Sequence, residues 1–290
     1  MDRHEQGKPR ARSAEALGQA RDQSSESEPP LLRLSGLSSS CRIRHAITTR
    51  EGGHSKGAFA SLNLGLHVGD DAEAVLGNRV RLAGVLDATA DDMIFAEQVH
   101  GNRVALVGEA DRGRGASEAA SALPGTDALI TDTPGLWLTI LVADCVPLLL
   151  ADPVRGVIGA AHAGWRGTVA DIAGRSVRAM VEGFGCDPAD IVAGIGPSIG
   201  PEDLEVGPEV AEAFRRAFPD RHPQLIRAGR GDRCLVDLWR ANRLQLDDAG
   251  LNPLAIDLAG ISTVASLERF YSHRAEGGRT GRFAATIALR

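Results

Sequence analysis

The sequence predicts an α/β or α+β layered domain, because short buried strands are grouped in its middle and amphipathic helices follow them. The strand signal is a set of three apolar runs between residues 136 and 161 that are separated by turn residues. The helix signal begins at Thr168, where apolar residues start to recur every three or four positions. These patterns predict the layers but leave the order of strands within a sheet open.

The three predicted strands are Leu136–Val142, Val146–Ala151 and Val157–Ala161. Each is short and almost entirely apolar, which is typical of strands that are buried on both faces. Asp152-Pro153 and Arg155-Gly156 predict a turn between the second strand and the third.

Three helices are predicted after the strands. The first begins at Thr168, and the others cover 208–218 and 235–249. Gly250 follows the last of them in the position of a C-cap, because glycine readily adopts the left-handed conformation in which helices commonly end.

Composition limits the classes of function. The 290 residues include 43% hydrophobic and 24% charged residues, which describes a globular protein with a substantial core. A net charge of −6 argues against electrostatic binding of nucleic acid, and no apolar stretch reaches the ~18 residues of a membrane span. Four cysteines are too few for a disulfide scaffold, so we expect a cytoplasmic protein.

The first 32 residues differ in composition from the rest of the chain. They contain no Val, Ile, Phe, Trp or Tyr and approach their end with Pro29-Pro30, so we expect a disordered tail over 1–32. Residues 33–290 show neither an internal repeat nor a long linker and predict a single domain. Residues 108–124, rich in Gly, Ala and Ser, predict a mobile loop within it.

Three polar residues stand at the ends of apolar runs, where α/β folds place their functional sites. Cys145 lies between the first two predicted strands, His162 ends the third, and His100 follows the apolar run at 93–96. The three side chains could therefore converge on one metal ion. Zinc is the metal that best suits these ligands, because it binds imidazole nitrogen and thiolate together. Three protein ligands would leave its fourth coordination position open for water or substrate.

The spacing of these residues leaves other interpretations open. No Cys-x-x-Cys, His-x-His or His-x-x-x-His occurs, so no local motif dictates a metal. Cys145 could be a buried unreactive thiol, and the two histidines could be satisfied loop residues. The same three residues also suit a metal-free hydrolase with Cys145 as the nucleophile and His162 or His100 as its base.

Ten short blocks resemble a known family, in the same order along the chain. These blocks are 50–55, 61–71, 78–79, 98–101, 127–131, 143–147, 162–167, 195–200, 205–207 and 281–282. The blocks that hold the three polar residues are Gln98-Val-His-Gly101, Ala143-Asp-Cys-Val-Pro147 and His162-Ala-Gly-Trp-Arg-Gly167. The chain is similar to the laccase-domain, or YfiH-like, family of purine nucleoside phosphorylases, which were first labelled polyphenol oxidases.

The resemblance implies a central β-sandwich-like core flanked by helices, with residues 33–290 as the zinc-binding catalytic domain. It implies a zinc ion bound by His100, Cys145 and His162. It also implies phosphorolysis of adenosine, inosine and S-methyl-5′-thioadenosine, with adenosine deamination as a second activity. The partners would be these purine nucleosides and inorganic phosphate, and neither nucleic acid nor membrane.

Four further residues match family positions near the pocket. Arg50 could bind phosphate as a forked donor and Asn63 could hydrogen-bond the ribose or the base, but Arg50 could equally cap a strand end and Asn63 a turn. Arg166 could bind phosphate, or it could stack on the neighbouring Trp165. Gln98 is the remaining candidate for substrate binding.

Two other functions use the same site. Copper-dependent oxidation of phenols is expected only as a side reaction or an effect of metal loading in vitro, because none of the 8 histidines form the His-x-His pairs of a multicopper centre. A non-catalytic module that binds a purine without converting it is the remaining alternative.

Overall fold

The computed structural model of the chain describes residues 28–290, which form a mixed α/β fold with three sheets and six α-helices. In chain order, the strands are β1 (Leu31–Leu32), β2 (Ile43–Thr48), β3 (Met93–Phe95), β4 (Val104–Leu106), β5 (Ala128–Thr131), β6 (Trp137–Val142), β7 (Val146–Asp152), β8 (Val157–Ala163), β9 (Val192–Ile195), β10 (Glu205–Val206), β11 (Ile226–Ala228), β12 (Cys234–Val236), β13 (Ile256–Leu258) and β14 (Phe283–Leu289). The helices are α1 (Ser35–Ser38), α2 (Ala72–Val85), α3 (Trp165–Val169), α4 (Ile172–Phe184), α5 (Pro208–Ala217) and α6 (Leu238–Asp248). None of the helices described is both long and apolar enough to cross a bilayer.

Two large sheets pack face to face. One has the strand order β1-β2-β14-β6-β3 and the other β13-β9-β7-β8-β5-β4, while β10, β12 and β11 form a separate small sheet. Leu149 of β7 and Ile158 of β8 pack in one core cluster with Leu138 and Ile140 of β6. This interior confirms the β-sandwich-like core.

Helices cover the outer faces of both sheets. Leu148 and Leu150, which alternate with Leu149 along β7, pack in a second cluster with residues of α4. Residues of α2 pack against the outer face of the other large sheet. Because both faces of β6, β7 and β8 are covered, these strands consist almost entirely of apolar residues, as the sequence predicts.

The predicted strands agree with β6, β7 and β8 to within two residues at each end. The helix predicted from Thr168 is two helices, because Asp171 interrupts it in a left-handed conformation (φ 61°) and caps the start of α4 through the amide of Gly174. The predicted helix over 235–249 begins at Leu238, after Asp237 as its N-cap, because Leu235 belongs to β12. Gly250 follows its end with φ 99°, as expected.

Two other expectations need correction. Leu31 and Leu32 pair with Thr48 and Ile47 in β1, so the ordered chain begins before residue 33, and the part of the expected tail before residue 28 lies outside the described residues. The segment 108–124 contains two short 3₁₀ turns and buries Leu123, and Arg79 donates hydrogen bonds to backbone carbonyls within it. The expected mobile loop is therefore tied to the core.

Candidate metal centre

Cys145 and His162 meet because their strands are neighbours. Cys145 immediately precedes β7, and His162 lies in β8 directly opposite Pro147 in the antiparallel register. The bend before β7 places Asp144 at φ 87°, and its carboxylate accepts hydrogen bonds from the Thr263 hydroxyl and the Arg274 amide, both 2.6 Å long. This pair of contacts fixes the backbone from which the thiol projects.

His100 is brought to the same place by a single carboxylate. Asp127 is fully buried and accepts hydrogen bonds from the backbone N–H groups of Val99 (3.3 Å), His100 (3.0 Å) and Gly101 (2.7 Å). These bonds stabilise His100 in a left-handed conformation (φ 61°), which non-glycine residues seldom adopt. The turn that carries His100 is thus shaped by a residue 27 positions away.

The same carboxylate orients His162. Its Oδ1 lies 2.8 Å from His162 Nδ1, and the Asp127 carbonyl accepts the His162 backbone N–H at 2.7 Å. Because Nδ1 is occupied, Nε2 is the nitrogen left for a metal, and a carboxylate behind a histidine ligand raises its basicity. Asp127 therefore organises two of the three predicted ligands.

The three side chains form a cluster that could hold one metal ion. One ligand atom from each of His100, Cys145 and His162 lies within 4.8 Å of the others, and the two imidazole rings meet edge to face with centroids 4.7 Å apart. Gly164 leaves the space they need, because a Cβ there would lie 2.9 Å from His100 Cδ2 and 3.0 Å from Cys145 Sγ. This is the only such cluster among the described residues.

The electrostatics of the cluster favour a thiolate. Desolvation opposes ionisation of Cys145, but the charge of His162 and hydrogen bonds from His100 and His162 outweigh it and lower the thiol pKa to about 6. Desolvation likewise disfavours the protonated imidazole of His162, yet Cys145 and Asp127 raise its pKa to about 9. The sulfur is therefore a ready metal ligand at neutral pH.

A cavity of about 610 Å³ opens onto the cluster. Gln98 and Arg166, two of the residues predicted to bind substrate, are among those that line it. The amide of Gln98 exchanges two hydrogen bonds with the backbone of Leu141, so its orientation is fixed. Arg166 is exposed, with its guanidinium carbon 4.4 Å from the centre of the Trp165 ring.

Arg50 and Asn63 are not among the lining residues. The guanidinium of Arg50 donates to the Ala60 and Leu267 carbonyls and forms an ion pair with Glu276 at 3.1 Å, so its donors serve the structure of the surrounding loops. Asn63 is fully buried and ties a turn together through the N–H and carbonyl of Gly65. These positions agree with the structural alternative for both residues.

Sequence reasoning missed Asp127, Gly164 and Arg282, although all three stand in the blocks that resemble the family. Asp127 precedes a strand and Gly164 comes two residues after His162, but their contacts depend on strand pairing, of β5 with β8 for Asp127 and of β7 with β8 for Gly164. Arg282 lines the cavity immediately before β14. The available signal was its position in the sequence, because an arginine directly before a run of seven apolar and Thr residues stands at a strand end.

Known proteins resemble the chain along almost its whole described length. A family model described as multi-copper polyphenol oxidoreductase laccase matches residues 44–290. The chain belongs to this laccase family. Among curated relatives, the purine nucleoside phosphorylase YlmD of Geobacillus stearothermophilus is 43% identical over 244 residues, which is 84% of this chain and 89% of that protein. The purine nucleoside phosphorylase of Deinococcus radiodurans is 45% identical over 260 residues, 90% of this chain and 93% of its own.

Solved structures of similar proteins have the same fold. YlmD from Geobacillus stearothermophilus superimposes with a TM-score of 0.84 at 42% identity, and the hypothetical protein YfiH of Bacillus licheniformis with 0.84 at 37%. Each match covers 86% of this chain and 93% of the other chain. The fold expected from the laccase-family resemblance is thereby confirmed.

Proposed function

We propose that the chain is a zinc-dependent purine nucleoside phosphorylase. The observation that carries the proposal is the cluster of His100, Cys145 and His162 in the lining of a cavity large enough for a small-molecule substrate, in a chain whose relatives are named purine nucleoside phosphorylases. Residues 33–290, together with β1 before them, would form the catalytic domain, and the cytoplasm is the proposed compartment, in agreement with four free cysteines.

Zinc fits the donor set better than copper chemistry does. One thiolate and two imidazoles suit a single borderline-soft ion, and a multinuclear copper centre needs more histidines than this cluster offers. A zinc ion held by these three residues would supply a Lewis acid beside the cavity. The chain's own residues do the rest: Asp127 fixes the ligand geometry, and Gln98 and Arg166 form the wall against which the nucleoside is placed.

The proposed substrates are adenosine, inosine and S-methyl-5′-thioadenosine, and adenosine deamination is a proposed second activity. The cavity admits a polar ligand beside apolar surface from Phe95, Leu141 and Ile199. A purine has an apolar face and polar edges, and it matches such a lining. Release of ammonia from adenosine without phosphate would separate deamination from phosphorolysis.

The test combines metal analysis with an assay of hypoxanthine release from inosine. The expected result is about one zinc ion per chain and release that depends on phosphate. Cys145→Ala should lose both the metal and the activity, because it removes the thiolate ligand. Cys186→Ala is the matched control, since Cys186 is a buried cysteine outside the cavity. Full phosphorolysis by metal-free protein would contradict the proposal.

A metal-free cysteine hydrolase is the second candidate, because Asp127, His162 and Cys145 also form a chain of carboxylate, imidazole and thiolate. It predicts rapid alkylation of Cys145 in protein as purified, whereas a zinc-bound thiolate is protected. Cys41→Ser removes an exposed cysteine from the background of the alkylation assay. Alkylation that becomes rapid only after chelation supports the zinc enzyme.

A further inference from the structure

The wall of the cavity beside the metal cluster carries excess positive charge. Outside the cluster itself, its charged residues are Arg79, Arg166, Arg274 and Arg282 against Glu97 and Asp144. Both oxygens of Asp144 are occupied by Thr263 and Arg274, and Glu97 is exposed and accepts the Gly125 amide. The cavity is therefore suited to an anion.

The four arginines differ in the donors they have left. Arg79 is buried, and its guanidinium donates hydrogen bonds to the carbonyls of Leu64, Gly115 and Ala116. Arg274 is exposed and donates to the Glu205 carbonyl at 3.0 Å, and Arg166 is exposed over its neighbouring indole.

Arg282 keeps two donors for a ligand. Its Nη1 donates to the carbonyls of Thr280 (3.0 Å) and Gly281 (2.9 Å), while Nε and Nη2 have no hydrogen-bond partner within residues 28–290. Those two nitrogens lie side by side, which is the arrangement that binds two oxygens of a phosphate or carboxylate at once. Arg282 is the half-buried arginine of the wall whose fork remains open.

The backbone and stem of Arg282 are held rigidly. Its N–H donates to Asn63 Oδ1 at 2.8 Å, and its carbonyl accepts the Leu64 N–H at 3.0 Å. A Cβ on Gly65 would lie 2.9 Å from Arg282 Cγ, so the absence of a side chain there makes room for the stem. Asn63 is itself fixed by Asp70, whose carboxylate accepts from Nδ2 at 2.8 Å. Such preorganisation reduces the entropy lost when a ligand binds.

Arg282 also lies within electrostatic range of the metal cluster. Burial lowers its pKa, and the nearby charges of Cys145 and Asp144 offset that lowering only in part. An anion held by the fork would therefore sit in the same cavity as a nucleoside placed against the cluster.

We propose that Arg282 binds the phosphate co-substrate through Nε and Nη2 and that Asn63 is the positioning residue that holds it. The identity of the anion as a co-substrate rests on the proposed function, whereas the anion site itself does not. In the reaction, an oxygen of hydrogen phosphate forms a bond to C1′ of the ribose while the C1′–N9 bond breaks. The electron pair of that bond stays on N9, and the proton of hydrogen phosphate ends on the purine, giving ribose 1-phosphate and the free base.

The first test measures binding of inorganic phosphate by calorimetry and the KM for phosphate at saturating inosine. Arg282→Gln should weaken phosphate binding about 10- to 100-fold and raise the KM for phosphate similarly, because charge-assisted bonds are lost. The KM for inosine and the zinc content should stay within about twofold. Arg215→Gln, which removes an exposed arginine paired with Glu212, is the matched control for loss of charge.

Chemical rescue separates ligand binding from a structural role. Arg282→Ala should recover phosphate binding when guanidinium chloride is added at millimolar concentration, because the free cation can occupy the emptied fork. Equally tightened phosphate binding in the wild type and in Arg215→Ala at the same guanidinium chloride concentration would show a general salt effect and would count against the proposal.

The role of Asn63 is tested by exchanging two side chains. Asn63→Ala should raise the KM for phosphate about tenfold, since the amide of Arg282 loses its acceptor. The double variant Asn63→Asp/Asp70→Asn keeps the acceptor for the Arg282 amide and the contact between residues 63 and 70, although it loses the bond to the Gly65 carbonyl, so its KM for phosphate should fall well below that of Asn63→Ala. A KM that stays high in the double variant would remove Asn63 from the proposal.

The outcomes separate this proposal from the proposed function. Unchanged phosphate affinity and KM in Arg282→Gln would overturn the assignment even if phosphorolysis is confirmed. Phosphate binding that depends on Arg282 in a protein without phosphorolysis would confirm the anion site and contradict the proposed function.

Discussion

Replacing Asp127 by Asn tests whether one carboxylate controls the metal cluster. The amide has nearly the same shape, but it can accept hydrogen bonds on one side only. With its NH₂ group at the position of Oδ1, it would donate to His162 Nδ1 and force the proton onto Nε2, where the metal should bind. With the NH₂ group at the position of Oδ2, it would face the backbone N–H groups of Val99 and Gly101.

In either orientation the amide loses one set of contacts that Asp127 makes, with the His162 ring or with the backbone turn that carries His100. Loss of a carboxylate behind a histidine ligand lowers metal affinity about 10- to 100-fold, which corresponds to about 1.4–2.7 kcal/mol. The assay is competition for zinc against a chromophoric chelator, with urea unfolding of the metal-free proteins measured in parallel. Unfolding shows how much of the change lies in the fold rather than in the ligand geometry.

Asp152→Asn is the matched control. Asp152 is also a fully buried carboxylate, but it lies at the opposite end of β7 from Cys145, and one oxygen accepts the amides of Val154 and Arg155. The zinc affinity of the Asp152→Asn variant should equal that of the wild type. Equal affinity in Asp127→Asn as well, within about twofold, would refute the view that this residue organises the ligands.

Three further predictions concern glycine, histidine and leucine positions. Gly164→Ala should weaken zinc binding at least about tenfold because a Cβ would displace two ligand side chains, whereas Gly84→Ala has open space and should leave zinc titrations unchanged. Burial lowers the pKa of His45 to about 4, so as the pH falls this histidine is protonated in the unfolded chain before it is protonated in the folded protein. The free energy of unfolding, measured by chemical denaturation, should therefore fall by about 2 kcal/mol between pH 7 and pH 4.5. The variant His45→Gln should lack this loss. Leu149→Ala should lower the free energy of unfolding by about 2–5 kcal/mol by opening a cavity between the sheets, and exposed Leu254→Ala should change it by less than about 0.5 kcal/mol; equal effects would contradict the packing argument.

The sequence predicts those parts of the site that depend on local pattern. His100, Cys145 and His162 each stand where an apolar run ends, so their neighbourhood alone marks them. The role of Asp127 could not be predicted in that way, because it depends on the pairing of β5 with β8. Arg50 illustrates the same limit, since two of its partners, the Leu267 carbonyl and the Glu276 carboxylate, lie more than 200 residues further along the chain.

Element boundaries were missed for a related reason. Leu235 fits the helical spacing that continues from Leu238, but strand pairing with Glu205 and Arg227 places it in β12. Leu31 and Leu32 follow a polar segment, and only their partners on β2 show that they belong to the sheet. Long-range pairing overrides local preference in both cases.

The cluster lies where the chain crosses from one large sheet to the other. His100 follows β3 of the first sheet, Cys145 connects β6 of that sheet to β7 of the second, and His162 belongs to β8 of the second. An ion held by all three residues would cross-link the two large sheets. Metal binding would then raise the melting temperature in proportion to the logarithm of the free metal concentration. Removal of the metal by a chelator would destabilise the region around the cluster before the rest of the fold.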